Sequence, residues 1–263
     1  MTFNDAEYAA IIEQIEDLIE RLASKLRQVR PMAQAFANRP EVPEIQALAA
    51  LYLANKIVGH GTLVMSMTRD ALAEADAPRR LQDATREWLM VVRLATGVVG
   101  MITSNQSEVD DYWNGRAAER YGERKKEQAA AATRIGEIAR AATFHLPFAA
   151  SAAREYFMVI LVALAAFLVA AVGAIAIMVT PAVLLGVAGI VAAYAAYMAA
   201  MYQAETMYKS KLVERATALR IEANTQTGFQ DGRWPRAVSG RWNDAMSKEL
   251  DGDKSDWELE TDN

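Results

Sequence analysis

Apolar residues recur along this chain at steps of three and four, the period of a helix with one buried face. From about Asp5 to Arg30, Ile11, Ile15, Leu18, Leu22, Leu26 and Val29 form one stripe. Glu13, Glu16, Asp17, Glu20 and Lys25 fall mainly between them. Pro31 is expected to close this helix, and Asn38-Arg39-Pro40 with Pro43 marks a loop. A second helix is expected from about Pro43 to Ala75. Ile45, Leu48, Tyr52, Leu63 and Met67 lie on or near one face of it, and Gly59-His60-Gly61 interrupts it. A third begins at Ala77-Pro78 with the most regular stripe, Leu81, Ala84, Trp88, Val91, Ala95, Val98 and Ile102. Its steps alternate between three and four, as knobs-into-holes packing requires. It ends near Ser104-Asn105 or runs on to Asp110-Asp111. A fourth runs from Arg116 to about His145 with Ala118, Tyr121, Ala132, Ile135, Ile138 and Ala142 inward, and Pro147 is expected to break it. No run of strand period appears, so the expected fold class is all-α, an elongated helical bundle.

The next stretch changes character. Tyr156 to Ala204 holds 49 residues without one charge, divided at Thr180-Pro181. Phe157–Val179 and Ala182–Gln203 are each long enough to cross a hydrocarbon layer of about 30 Å at about 1.5 Å per residue. Charge is costly at bilayer depth, and small residues let helices approach within a membrane. Phe157, Gly173, Pro181, Gly186 and Gly189 are therefore the candidate residues of a transmembrane hairpin. Arg140 and Arg154 precede it and Lys209 and Lys211 follow it, so both ends carry cations on one side. The competing reading is a helix pair buried inside a soluble bundle, or one that amphipathic helices shield in a soluble form and release at a membrane.

Composition narrows the chemistry. The chain has 263 residues, no cysteine and two histidines, His60 and His145, far apart in sequence and near no acidic cluster. No disulfide framework and no His-based metal site is expected. The net charge is −5. From Glu249 to Asn263 seven acids stand against Lys254, so that segment alone is −6 and the rest is near neutral. Nucleic-acid binding is not expected. There is no Gly-rich phosphate loop, no His-Glu-x-x-His and no Gly-x-Ser-x-Gly, and the carboxylates fall on solvated helix faces. No enzymatic activity, cofactor or metal is expected. The N-terminus has neither a positive region nor an apolar core, so no cleaved signal peptide is expected.

One string remains: Trp113-Asn114-Gly115-Arg116-Ala117-Ala118-Glu119-Arg120-Tyr121. Gly115 can adopt backbone conformations other residues resist. Trp113 can cap a hairpin end, Ala117 and Ala118 allow close approach, and Tyr121 can pack near the tryptophan. Placed between two amphipathic helices in an alanine-rich chain, it resembles the WXG-motif family of type VII (ESX) secretion substrates over about Leu81 to Leu146. The resemblance implies a helical hairpin that docks a WXG-type partner or the type VII apparatus through Trp113, Gly115, Ala117, Ala118 and Tyr121. It implies a bacterial protein exported without a cleaved signal, secreted or held at the cell envelope. The chain departs from the family in three ways: about 75 residues precede the hairpin, no tyrosine after the fourth helix has an acid four residues later, and the apolar hairpin is added.

Four segments are expected: an N-terminal helical hairpin (1–76), the WXG-like hairpin (77–147), the hydrophobic hairpin (148–224) and an acidic, Trp-containing, partly disordered tail (225–263). The expected function is a non-enzymatic type VII secretion-associated protein that anchors in or permeabilises membrane lipid, as a homo- or hetero-oligomer. The alternatives are a non-secreted inner-membrane scaffold and a soluble bundle that only binds a partner.

Overall fold

The computed structural model describes residues 3–104, 113–114, 116–224, 229, 234–235 and 258–259. Among them the chain is helical: α1 (Asp5–Ala37), α2 (Glu44–Leu72), α3 (Ala77–Ser104), α4 (Arg116–Ile177) and α5 (Val183–Asn224). It divides into two compact units, Met1–Gln82 with Pro147–Glu214, and Asp83–Leu146 with Arg215–Asn263.

The first unit is a four-helix bundle of α1, α2, the second part of α4 and most of α5. Asn4 starts α1, its side-chain oxygen accepting the amides of Ala6 and Glu7. The stripe of α1 is buried as its spacing predicts, from Tyr8 and Ile11 through Ile15, Leu22, Leu26 and Val29. α2 returns antiparallel. The Tyr8 hydroxyl donates to the Ala75 carbonyl at 2.7 Å, and Leu26 lies against Gly61. Tyr8 also meets Phe157 edge-on, with ring centroids 5.7 Å apart, which sets the base of α1 beside α4. α4 and α5 form the second antiparallel pair. Ile177 sits beside Gly186, Phe167 beside Tyr197, Tyr156 stacks on Tyr208, and Lys211 pairs with Glu155. The Thr180 hydroxyl bonds the Ile177 carbonyl and accepts the Ala182 amide, closing the turn at Pro181. This is up-down-up-down connectivity around one apolar core.

Three expectations about breaks are corrected. Pro31 lies inside α1, which continues to Ala37 because Ala33 and Phe36 still bury in the core. Gly59-His60-Gly61 does not interrupt α2. A Cβ on Gly61 would fall 2.7 Å from the Leu26 methyls, so this glycine serves close approach of two helices rather than a kink. Pro147 does not break α4, which is one helix of 62 residues. A proline removes one backbone donor, and the buried Ala142, Ala149, Ala150 and Ala153 on either side hold the helix in place.

The second unit buries mostly methyl groups. Ala95 of α3 approaches Gly136 of α4, where an added Cβ would lie 3.5 Å away, and Ala131, Ala132, Ala139 and Ala142 are buried along the same helix. So small a set of side chains removes little apolar area from water. Arg134, only 5% exposed, joins Glu137 at 2.9 Å and Glu222 of α5 at 2.8 Å, and donates to the Glu222 carbonyl as well. Strand pairing among the described residues is confined to this unit. Trp113 and Asn114 form a two-residue strand, antiparallel to Glu258 and Leu259. The all-α expectation holds for the described residues apart from this two-residue pairing.

Candidate membrane-contacting face

α4 from Phe157 onward and α5 up to Ala204 each have two faces, and both faces are apolar. The inner faces hold Phe157, Ile160, Leu164, Phe167 and Met178 of α4 and Val183, Ile190, Tyr197 and Met201 of α5, all buried. The outer faces hold Val162, Val169, Leu184 and Leu185, which are 61%, 73%, 71% and 71% exposed. Ala166, Gly173, Ala176, Gly189, Ala192, Ala196 and Ala199 are exposed between them. A helix at a water surface normally turns polar residues outward, and these two do not.

The first helix of the bundle contrasts with this pair. α1 exposes Glu13, Glu16, Asp17, Glu20, Arg21, Lys25, Arg27 and Arg30 along its length. The bundle therefore sets a charged α1, and an α2 that exposes Ile45, Leu48, Tyr52 and Leu63, beside an uncharged pair. The uncharged pair ends at a collar of ion pairs: Arg154 with Glu7, Glu155 with Lys211, and Glu205 with Lys209. Tyr156 and Tyr208 stack at the same level. Amphipathic aromatic rings and cations at one end of an apolar segment are the usual markers of a membrane–water boundary. Three segments of the described chain are long and apolar enough to cross a membrane, by length and composition: Glu44–Ser104, Glu119–Ile177 and Val183–Asn224.

An open groove of about 400 Å³ runs along the outer side of the hairpin, lined by Met158–Val159, Val162–Ala163 and Ala166–Phe167 of α4 and by Ala193, Ala196–Tyr197 and Ala200 of α5. On the inner side, α2 meets α5 through one hydrogen bond and one ring stack. The Thr68 hydroxyl lies 2.7 Å from that of Tyr197. The His60 ring stacks on Tyr194, centroids 4.3 Å apart, and neither of its nitrogens has a hydrogen-bond partner. In α1, burial pushes the Tyr8 phenol well above its ordinary range, and the nearby Arg79 opposes this in part.

The residues singled out from the sequence fall as follows. Phe157 and Gly186 face inward, Gly186 where an added Cβ would sit 2.8 Å from Leu53. Gly173 and Gly189 face outward with open space around them, and Pro181 is exposed in the turn. Small residues at Gly186 thus serve packing inside the bundle, whereas those at Gly173 and Gly189 meet no protein. Trp113 lies in the two-residue strand β1 (Trp113–Asn114). Gly115 lies outside the described residues, and the side chains of Trp113, Ala117 and Ala118 do too. Ala117 and Ala118 are in the first turns of α4, and Tyr121 on the same helix is 44% exposed.

Sequence reasoning missed the register of α2. Its core face is Ala50, Leu53, Ala54, Ile57, Gly61, Val64 and Thr68, whereas Ile45, Leu48, Tyr52 and Leu63 are exposed. The overlooked signal was the row of small residues, which marks the side where helices touch. Comparison with protein-family models, with curated proteins and with solved structures finds no match to this chain.

Proposed function

We propose that this chain is a non-enzymatic, membrane-acting helical protein whose own α1 and α2 cover one face of its insertion element. The observation that carries the reading is the outer face of the α4–α5 hairpin, exposed, uncharged and bounded at one end by ion pairs and tyrosines. Burying such a surface in lipid is favourable at roughly 25 cal/mol per Å². The charged outer side of α1 is not compatible with lipid, where each ion costs about 2.5–3.5 kcal/mol or more at the bilayer centre. The bundle therefore meets a membrane with its hairpin side, and deep insertion requires the hairpin to leave α1 and α2. Oligomers of the inserted hairpin would then form the anchor or pore.

The type VII route belongs to the same proposal. Its support is the Trp113-to-Tyr121 string, which resembles the export and partner-docking motif of WXG proteins. Under it the protein leaves a bacterial cell without a cleaved signal and is secreted or held at the envelope. Flotation with liposomes tests the membrane part: the purified protein is expected to float and to release an entrapped dye, and failure of both at every pH overturns it. Fractionation tests the route. Appearance in culture filtrate that depends on a type VII ATPase, and is lost in Trp113→Ala, supports it. Carbonate-resistant membrane protein in all conditions would favour an inner-membrane scaffold instead.

A further inference from the structure

The outer groove of the hairpin differs from the rest of the exposed apolar face because it is concave. Its lining on α4 runs from Met158 to Phe167, about 14 Å of helix at about 1.5 Å per residue. Facing it on α5 is a wall of Ala193, Ala196 and Ala200, whose single methyls leave the slot open. The floor is Phe167 and Tyr197. The Tyr197 hydroxyl is already engaged by Thr68 on the opposite side, so it offers no polar handle to the groove. The volume, about 400 Å³, is at the lower end of the range for small-ligand sites. A helix, about 10–12 Å across with its side chains, is too thick to enter a slot between two adjacent helices.

Polarity along the groove is one-sided. At the base, Glu155 lies one helical turn before Val159 and holds Lys211 in an ion pair, with both side chains about half exposed. Toward the tip there is no charge as far as Pro181 and beyond. An apolar slot of this length with an ionic, solvated end matches an amphiphile with one extended chain. We propose that the groove binds a single acyl chain of a lipid, with the head group at the Glu155–Lys211 end. This rests on the reading of the hairpin as the membrane-contacting element and names the ligand of that surface. The bound chain replaces water over Phe167 and Tyr197 and seats the hairpin at a fixed depth.

The test uses the full chain without vesicles, titrated with cis-parinaric acid, whose fluorescence rises in an apolar site. Ala196→Phe fills the slot while keeping the surface apolar. Ala176→Phe adds the same ring to the exposed face of α4 outside the slot. The wild-type protein and Ala176→Phe are expected to bind one molecule per chain, and Ala196→Phe to bind at least about tenfold more weakly. Equal binding by the two variants, or no saturable binding by the wild type, overturns the proposal. So does a wild-type dimer that Ala196→Phe dissociates, which would assign the slot to a second copy. Liposome flotation of all three proteins separates the two readings. Flotation of all three with undiminished fatty-acid binding by Ala196→Phe removes the groove and leaves the membrane reading. Saturable binding confined to the open slot, with no flotation, does the reverse.

Discussion

The hydroxyls of Thr68 and Tyr197, 129 residues apart in the chain, lie 2.7 Å from each other inside the first unit. Thr68 also bonds the Val64 carbonyl at 2.8 Å. Its hydroxyl therefore serves as donor to one group and acceptor from the other, and the tyrosine is the donor across the interface. This asymmetry makes the two single variants unequal. Tyr197→Phe leaves Thr68 with Val64 and is expected to cost about 1 kcal/mol. Thr68→Val keeps the shape but strands a buried phenol, and is expected to cost about 1–3 kcal/mol. The double variant should cost less than the sum of the two. Urea midpoints for the four proteins give the coupling, and strict additivity would show that the bond does not link α2 to α5.

His60 is the opposite case, a polar ring held by α2 against Tyr194 with no partner for either nitrogen. An unsatisfied buried polar group costs about 1–3 kcal/mol, and an apolar side chain in its place recovers much of that. His60→Leu is expected to raise stability by about 1 kcal/mol and to slow dye release from liposomes, because the cover leaves the hairpin less readily. A variant less stable than the parent in a thermal melt would contradict the first statement. One that is more stable but permeabilises faster would contradict the link between cover and release.

The glycines of the hairpin separate by the same criterion. Gly186 sits where an added Cβ would lie 2.8 Å from Leu53, which belongs to the core, and 3.0 Å from the half-buried Ile177. Gly186→Val overpacks this spot and is expected to cost about 1–3 kcal/mol. Gly173 has no atom within 4 Å of such a Cβ. Gly173→Ala should therefore stabilise the helix by roughly 0.5–1 kcal/mol through reduced backbone freedom alone. Circular-dichroism melts of the two proteins should move in opposite directions.

The contrast between these glycines also marks what could be read in advance. Helix type and the stripe of α1 were legible because Ile11, Ile15, Leu22 and Leu26 repeat against a charged background. The uncharged run was legible as a hairpin because Thr180-Pro181 divides two long segments. The α2 register was not, since apolar residues occur on both of its sides, and the small ones, Ala50, Ala54 and Gly61, mark the core. Nor were the continuations through Pro31 and Pro147, where tertiary burial of the following residues outweighs one missing hydrogen bond. The groove was invisible in sequence because it arises only when Ala193, Ala196 and Ala200 are set beside Met158–Phe167. The pairing of Trp113 with Leu259 joins positions that no local pattern connects.

Tyr8 predicts an alkaline limit to the cover. An unfolded tyrosine ionises near 10.0, and burial in the folded chain raises this value while the hydroxyl donates to Ala75. A folded value above the unfolded one means that the contribution is fully present below pH 10. It declines as pH rises from there toward the folded value. The denaturant midpoint should fall above about pH 10 in the parent and fall less in Tyr8→Phe. At pH 7 that variant should be less stable by about 1 kcal/mol, since the Ala75 carbonyl loses its donor. Parallel pH profiles for the two proteins would dissociate the alkaline loss from this residue.

The outer face offers the most direct test, because its residues bear on membrane contact and hardly at all on folding. Val169 and Leu185 are each more than two-thirds exposed, at 73% and 71%. Replacing both by glutamate removes little packing, and surface changes of this kind usually alter stability by no more than about 0.5 kcal/mol. In contact with lipid the same two carboxylates must be desolvated or protonated. On insertion scales each charge costs about 2.5–3.5 kcal/mol at mid-bilayer and less toward the interface. Even about 3 kcal/mol in total lowers partitioning by roughly two powers of ten. Val169→Glu with Leu185→Glu is therefore expected to melt like the parent and to stay at the bottom of a flotation gradient. Placing the same charge inside, as Leu164→Glu, should instead unfold the first unit, since Leu164 has no exposed surface. If the outer double variant floats as well as the parent, the hairpin's outer face is not what meets the membrane.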